Sequence, residues 1–361
     1  MRLGAALTAA VLALAGCALP PDGARPDKVE DGGFHVVPVF YATDRSYDPA
    51  APLAQRYGGG RGDLSYGVVE VSIPRDHRVG VLEAPSWWRL EFRPDPENHV
   101  VLLSLSRDRP EDFFVALRRA MQQSSGRDAF VFVHGYNTSF EDAARRTAQL
   151  AYDLNFPGVP ILYTWPSQGE LLKYLVDANN ADWTVAHLEA FLADVANRSG
   201  ASTIHLIGHS LGDRILVTAL EGFARRVAHG EAAPFTQVVL TAPDIDAGVF
   251  RQHAGRVLGA ARHFTMYASG NDVALRVSES LAEFPRAGDT RDGVLVVDGI
   301  DTIDASAVDT SFIGHGYFAD NASVISDIYD LLKQGTLPDH RPRLRAVAAQ
   351  TGRYWILPAV Q

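Results

Sequence analysis

The stretch from Thr203 to Val217, Thr-Ile-His-Leu-Ile-Gly-His-Ser-Leu-Gly-Asp-Arg-Ile-Leu-Val, limits what this chain can fold into more than any other. Thr203 to Ile207 is an apolar run rich in β-branched residues, which predicts a buried strand. It runs directly into Gly208-His209-Ser210-Leu211-Gly212, a G-x-S-x-G pattern. Beyond it Leu211, Ile215, Leu216 and Leu220 recur at helical spacing. The order is strand, tight turn, helix. A serine at such a corner projects its hydroxyl clear of the sheet, and the two glycines leave room for crowded backbone. The helix N-terminus then aims backbone N–H groups at an oxygen that becomes negative.

Strands and helices alternate on both sides of this stretch. Ala129–Val133, Pro160–Trp165, Gln237–Thr241, His263–Ala268 and Val294–Val297 read as strands. Between and after them, helices are expected from Glu111, over Phe140–Leu154, around Trp183–Ala196, over 211–228, from Asp272 and over Ala322–Leu332. Such alternation implies a mostly parallel sheet covered by helices on both faces. Ahead of it, Val36–Ala42, Gly67–Ile73 and Val100–Leu105 predict N-terminal strands, with the glycine-rich Tyr57–Gly62 as a loop. Gly58-Gly59-Gly60 lacks a following Gly-Lys-Ser/Thr and is no phosphate loop. Trp87 and Trp88 suit a packed hairpin better than an exposed patch. With 361 residues, 47% of them hydrophobic, the chain can bury one large core. The tail after Pro338 carries prolines and arginines, and Tyr354–Leu357 could add a sheet edge. The net charge is −10, with no Lys/Arg-rich stretch, so nucleic acid is not an expected partner. No metal is expected, because the chain has no H-E-x-x-H and no cysteine pair, and no dinucleotide fingerprint follows the first strand. The expected chemistry needs no cofactor.

The single cysteine, Cys17, closes an N-terminal segment with a basic Arg2, an apolar run from Leu3 to Ala15, and Leu14-Ala15-Gly16 before the thiol. This resembles a bacterial lipoprotein signal with its lipobox, the alternatives being an ordinary secretory peptide or an uncleaved anchor. The resemblance implies cleavage after residue 16, lipid on Cys17 and, with Ala18 rather than aspartate next, sorting to the outer membrane. The resulting organisation is a signal over 1–16, a flexible tether over 17–33, an α/β domain over 34–335 and a tail over 336–361.

A serine hydroxyl attacks at neutral pH only when a histidine takes its proton and a carboxylate orients that histidine. On this kind of scaffold the three follow in the order Ser, Asp/Glu, His. Of His229, His253, His263, His315 and His340, the residue expected as base is His315, in the glycine-flanked loop Gly314-His315-Gly316 between the last strand and the last helix. Two aspartates compete for the acid. Asp272 follows the strand two after the nucleophile strand, and Asp244 follows the strand between them. Both stand at carboxyl ends of strands, where open α/β sheets place ligands, and both also suit helix capping. For the oxyanion, one N–H comes from Leu211 and a second from Tyr136, placed by Val133-His134-Gly135-Tyr136-Asn137 after a buried strand.

These segments resemble the α/β-hydrolase superfamily and, more narrowly, an uncharacterised family of bacterial α/β-hydrolase lipoproteins. The resemblance rests on Val39-Phe40-Tyr41-Ala42-Thr43-Asp44-Arg45, Tyr66-Gly67, Val71-Ser72-Ile73-Pro74, Val133-His134-Gly135-Tyr136-Asn137, Thr164-Trp165-Pro166-Ser167, Gly208-His209-Ser210-Leu211-Gly212, Ala242-Pro243-Asp244-Ile245-Asp246 and Gly314-His315-Gly316-Tyr317. It implies a serine hydrolase using Ser210, His315 and Asp272, and names no substrate. By analogy of fold the expected activity is carboxylic ester hydrolysis on a small-molecule or lipid ester; peptidase or thioesterase chemistry, or a non-catalytic envelope lipoprotein, are the alternatives. The oligomeric state is open.

Overall fold

A computed structural model describes residues 28–29, 32–85, 91, 93–170, 173–308 and 317–359. Cys17, Trp87, Trp88 and His315 lie outside the described residues. Among the described residues twelve strands form one sheet, in the order Arg345–Ala349, Gly352–Ile356, Ile300–Asp304, Ala261–Ala268, Phe235–Thr241, Thr203–His209, Asp128–Val133, Val159–Thr164, Phe34–Tyr47, Tyr57–Pro74 and Leu102–Leu105, with Lys28–Val29 paired to Phe34–Tyr47. The first strands are β1 (Lys28–Val29), β2 (Phe34–Tyr47), β3 (Tyr57–Pro74) and β4 (Leu102–Leu105), joined in antiparallel pairs. The parallel part comprises β5 (Asp128–Val133), β6 (Val159–Thr164), β7 (Thr203–His209), β8 (Phe235–Thr241), β9 (Ala261–Ala268) and β10 (Ile300–Asp304). β2 joins it in parallel through β6.

Helices α1 (Pro110–Gln123), α2 (Phe140–Asp153), α3 (Tyr174–Arg198), α4 (Leu211–Ala228), α5 (Ala247–Val257), α6 (Val273–Ala282), α7 (Tyr317–Asp320) and α8 (Ala322–Gln334) fill the connections. The strand sequences explain the two-sided cover. In β5, Ala129, Val131 and Val133 pack into one core with α1, α3, α4 and α5, while Phe130 and Phe132 pack into a second with α2 and α8. A strand apolar at every position must be buried on both faces, because its side chains alternate. Among the described residues no helix is long and apolar enough to cross a membrane.

Two details differ from the sequence reading, and the tail, offered there as a possible sheet edge at Tyr354–Leu357, adds more strand than that. The glycine-rich 57–62 segment is strand, not loop: it opens β3 and pairs with the end of β2 through shifted registers at Arg45 and Tyr47. Its glycines sit where neighbours press in, since a Cβ on Gly60 would lie 2.9 Å from Ser46 Oγ and one on Gly62 would lie 2.7 Å from the Arg45 carbonyl oxygen. The strand expected at 294–297 is only an isolated bridge from Val297 to Ile300, and β10 follows it. Finally, the tail folds back as an antiparallel hairpin, β11 (Arg345–Ala349) and β12 (Gly352–Ile356), whose second strand lies parallel to β10.

Candidate active site

Ser210 stands between the last residue of β7 and the first of α4 with φ 55° and ψ −123°. Positive φ in a residue other than glycine is costly, and it persists only where surroundings fix it. Here three backbone hydrogen bonds do so. Ser210 N–H donates to the Thr241 carbonyl at 3.0 Å, and the Ser210 carbonyl accepts from Asp213 N–H at 3.0 Å and Asp244 N–H at 3.3 Å. The two motif glycines have separate tasks. A side chain on Gly212 would overlap the Val133 and His134 carbonyl oxygens, so that glycine lets α4 lie close against β5. A side chain on Gly208 would overlap the Asp213 carboxyl. The Ser210 hydroxyl is buried and has no hydrogen-bond partner among the described residues.

The loop after β5 reaches the same place. A Cβ on Gly135 would lie 2.9 Å from Ser210 Cβ and 2.8 Å from His209 Nδ1, so only a glycine lets this backbone come so near. His134 sets the orientation of the next peptide. Its ring is buried, stacked on Trp165 at 5.1 Å between centroids, and accepts the Trp165 backbone N–H at Nε2. Burial, reinforced by the Arg45 guanidinium, pushes its pKa well below the ordinary value and keeps it neutral. With Nε2 accepting, Nδ1 carries the proton and donates to the Gly135 carbonyl at 2.7 Å. The peptide is planar and trans, so Tyr136 N–H points the opposite way, off the side of the loop that faces the imidazole. At the head of α4 the Leu211 amide is one of the first-turn donors that lack a helical acceptor. Tyr136 and Leu211 thus stand on the two segments that meet at Ser210.

Buried polar residues brace this loop. The Arg45 guanidinium donates to the carbonyls of Thr138 at 2.6 Å and Ser167 at 2.8 Å and to Thr164 Oγ1 at 2.8 Å, and burial lowers its pKa to about 10. Asp177 accepts from Asn137 N–H at 3.1 Å, Ser167 Oγ at 2.5 Å and Gln168 N–H at 2.8 Å. Asn137 itself has φ 53°. Asp44, next to Arg45, accepts from Tyr163, Thr184 and His187. The Asp-Arg of β2, the His-Gly-Tyr-Asn after β5 and the Trp-Pro-Ser after β6 therefore form one support.

The two candidate acids sit differently. Asp272 follows β9, is buried, and caps α6 by accepting Leu275 N–H at 3.0 Å on Oδ1. Asp244 follows β8 and is already committed: Oδ1 accepts Ser278 Oγ at 2.5 Å and pairs with Arg286 Nε at 3.2 Å, while Oδ2 accepts Tyr174 OH at 2.8 Å. It ties the start of α3 to α6 and to the segment around Arg286. His315, the expected base, lies outside the described residues.

Two residues near the site escaped the sequence reading. Asp213, on the first turn of α4, is wholly buried, and burial pushes the pKa of its carboxyl well above the usual range. Asp177 is the other. Each stands on an inward helical stripe, Asp213 with Leu216, Val217 and Leu220, and Asp177 with Ala181, Thr184 and Leu188. A carboxylate on an otherwise apolar stripe is the signal that could have found them.

No curated protein matches the chain in sequence. Among solved structures, the chain is similar to a predicted CIB-like hydrolase from Thermoplasma acidophilum, with 11% identity over 58% of this chain and 88% of that one and a TM-score of 0.35. A lipase-esterase related protein from Clostridium acetobutylicum is similar at 10% identity over 58% and 95% of the two chains, with a TM-score of 0.32. A variant of the esterase rPPE is similar at 13% identity over 84% and 82%, with a TM-score of 0.30. Residues 111–334 match the family described as alpha/beta hydrolase of unknown function (DUF900). That span runs from the first turn of α1 to the last residue of α8 and takes in the Ser210 turn, the loop after β5 and both candidate acids; the chain belongs to this α/β-hydrolase family.

Proposed function

We propose that the chain is a serine hydrolase that cleaves carboxylic esters through an acyl-enzyme intermediate, held at the cell envelope by lipid on Cys17. The observation that carries this reading is the Ser210 turn, in which a strained, buried serine stands 2.9 Å from the place a Gly135 side chain would need. In the proposed cycle Ser210 Oγ bonds to the ester carbonyl carbon while its proton passes to His315. The oxyanion is held by the N–H groups of Leu211 and Tyr136. Collapse of the tetrahedral intermediate breaks the bond to the alcohol oxygen, which takes the proton back from His315. A water repeats the sequence on the acyl-enzyme, releasing the acid and restoring Ser210. Asp272 is the preferred acid, because Asp244 already serves Ser278, Tyr174 and Arg286 with both oxygens.

The test is labelling of the purified protein by a fluorophosphonate, followed by turnover of p-nitrophenyl esters of graded chain length. Ser210→Ala and His315→Ala are expected to abolish labelling and turnover. Asp272→Asn should lower turnover by about 10⁴, the scale seen when a triad acid is neutralised. Asp244→Asn should act mainly on stability. A folded wild-type protein that neither labels nor turns over any ester would end the hydrolase reading, and a larger turnover loss in Asp244→Asn than in Asp272→Asn would reassign the acid.

A further inference from the structure

An apolar groove opens at the amino-terminal edge of the parallel sheet, the end opposite Ser210. It has a volume of about 400 Å³, within the range of small-molecule sites. Val37, Pro38 and Phe40 of β2 form its floor, Ala120 near the end of α1 and Ala151 near the end of α2 form its two walls, and Phe156 closes it from the loop before β6. None of the described residues lining it is charged. The groove lies where the two helical layers part: Phe40 belongs to one core, and Ala151 and Phe156 belong to the other. Without charged groups it offers a ligand burial rather than ionic recognition, which suits a hydrocarbon chain.

The course of the chain supplies the occupant. β1 pairs Lys28 with Val36 and Val29 with His35, so the N-terminal segment meets the domain one residue from Val37 and two from Pro38 in the groove floor. Cys17 lies eleven residues before Lys28, and eleven extended residues reach roughly 36–40 Å. A group on Cys17 is therefore within tether reach of the groove, and tethering raises its effective concentration there to about the millimolar range. We propose that the groove holds one acyl chain carried by Cys17 of the same molecule, its other acyl chains remaining in the bilayer. The inference rests on the lipid-anchor part of the function proposed above, and not on the chemistry at Ser210. Its consequence is orientation: the base of the sheet faces the membrane, and the Ser210 end faces away from it.

The experiment uses the full-length chain extracted from membranes in mild detergent. A diazirine-bearing residue is placed on one wall at Ser124 and, in a second variant, on the other wall at Ala151; Val115, exposed on α1 and away from the groove, carries it in a control. After irradiation and digestion, mass spectrometry is expected to find the groove peptide joined to the Cys17 lipopeptide from both wall positions, at least tenfold more than from Val115. The two wall variants guard against one of them misfolding. Capture of free membrane lipid or detergent alone, equal capture from Val115, or no lipopeptide adduct from either wall of a folded protein would overturn the proposal. So would an intact mass showing no lipid on Cys17, which would also remove the anchor. Fluorophosphonate labelling of the same samples reports on Ser210 separately, so a failed groove and a failed hydrolase remain distinguishable.

Discussion

Ser210 is held at φ 55°, and such a conformation costs a residue with a side chain roughly 1–3 kcal/mol. Glycine adopts positive φ without that cost. Ser210→Gly is therefore expected to melt a few degrees higher than wild type while losing all fluorophosphonate labelling, whereas Ser210→Ala loses labelling with no such gain. A Ser210→Gly protein that melts below Ser210→Ala would mean the turn is not strained. Gly135 argues the reverse case. A methyl group there meets Ser210 Cβ at 2.9 Å and must push the loop carrying Tyr136 away. Losing one oxyanion donor typically costs about 10²–10³ in kcat. Gly135→Ala should lower ester turnover by that order with little change in KM, and a change confined to KM would place Tyr136 N–H outside the oxyanion site.

At the scale of elements, the connection after β3 is clamped to α2 by one histidine. His77 Nδ1 meets Glu83 at 2.8 Å and its Nε2 meets Asp153 at 2.7 Å, with the ring almost wholly buried. Burial alone would lower its pKa, but hydrogen bonds and charge from Asp153 and Glu83 outweigh burial and raise it to about 9. A histidine bound more tightly to its proton in the folded state stabilises fully below its unfolded pKa, near 6.5, and stops doing so as pH rises through the folded value. The melting temperature should fall between pH 6.5 and 9 and level off above. His77→Gln should remove most of that slope, and an unchanged slope would move its origin to other groups.

Some of this architecture is legible in the sequence and some is not. β5 and β7 were legible because strands buried on both faces read as unbroken apolar runs, and the turn at Ser210 was legible because its glycines answer to local crowding. The long β2–β3 hairpin was not. Its glycines look like loop when read alone, and only the approach of Ser46, Arg45 and Gln168 explains them as strand. Likewise Arg45, His134 and Asp177 read as separate motif residues or helix positions, and the network joining them exists only after β2 and β6 have paired. Side-chain contacts between distant segments leave no local period for a sequence to display.

Across the whole molecule, the sheet depends on a tail that sequence reading treats as an appendage. β12 lies parallel to β10, and β10 lies beside β9, the strand that leads to Asp272. Trp355 and Leu357 are buried in the core shared with α2 and α8. Arg341 is buried with them: its Nη1 donates to Asp327 Oδ2 at 2.7 Å and to Tyr267 OH at 3.1 Å, while Tyr267 OH donates to the same carboxylate at 2.5 Å. Removing residues 336–361 would strip β10 of its neighbour and leave the Asp327 carboxylate buried without its cation. Breaking a buried pair from one side costs about 3–5 kcal/mol, and the lost apolar burial adds to it, against a total stability of about 5–15 kcal/mol for a typical domain. A chain ending at Gly335 is expected to lose its cooperative melt and its Ser210 labelling together. Arg341→Met, which keeps the bulk but removes the charge, should instead leave a folded protein that melts several degrees lower and labels at nearly the wild-type rate. If the shortened chain melts like the full one, the hairpin is an ornament on the sheet and β10 is a true edge; if it unfolds, the domain that carries Ser210 extends at least to Leu357.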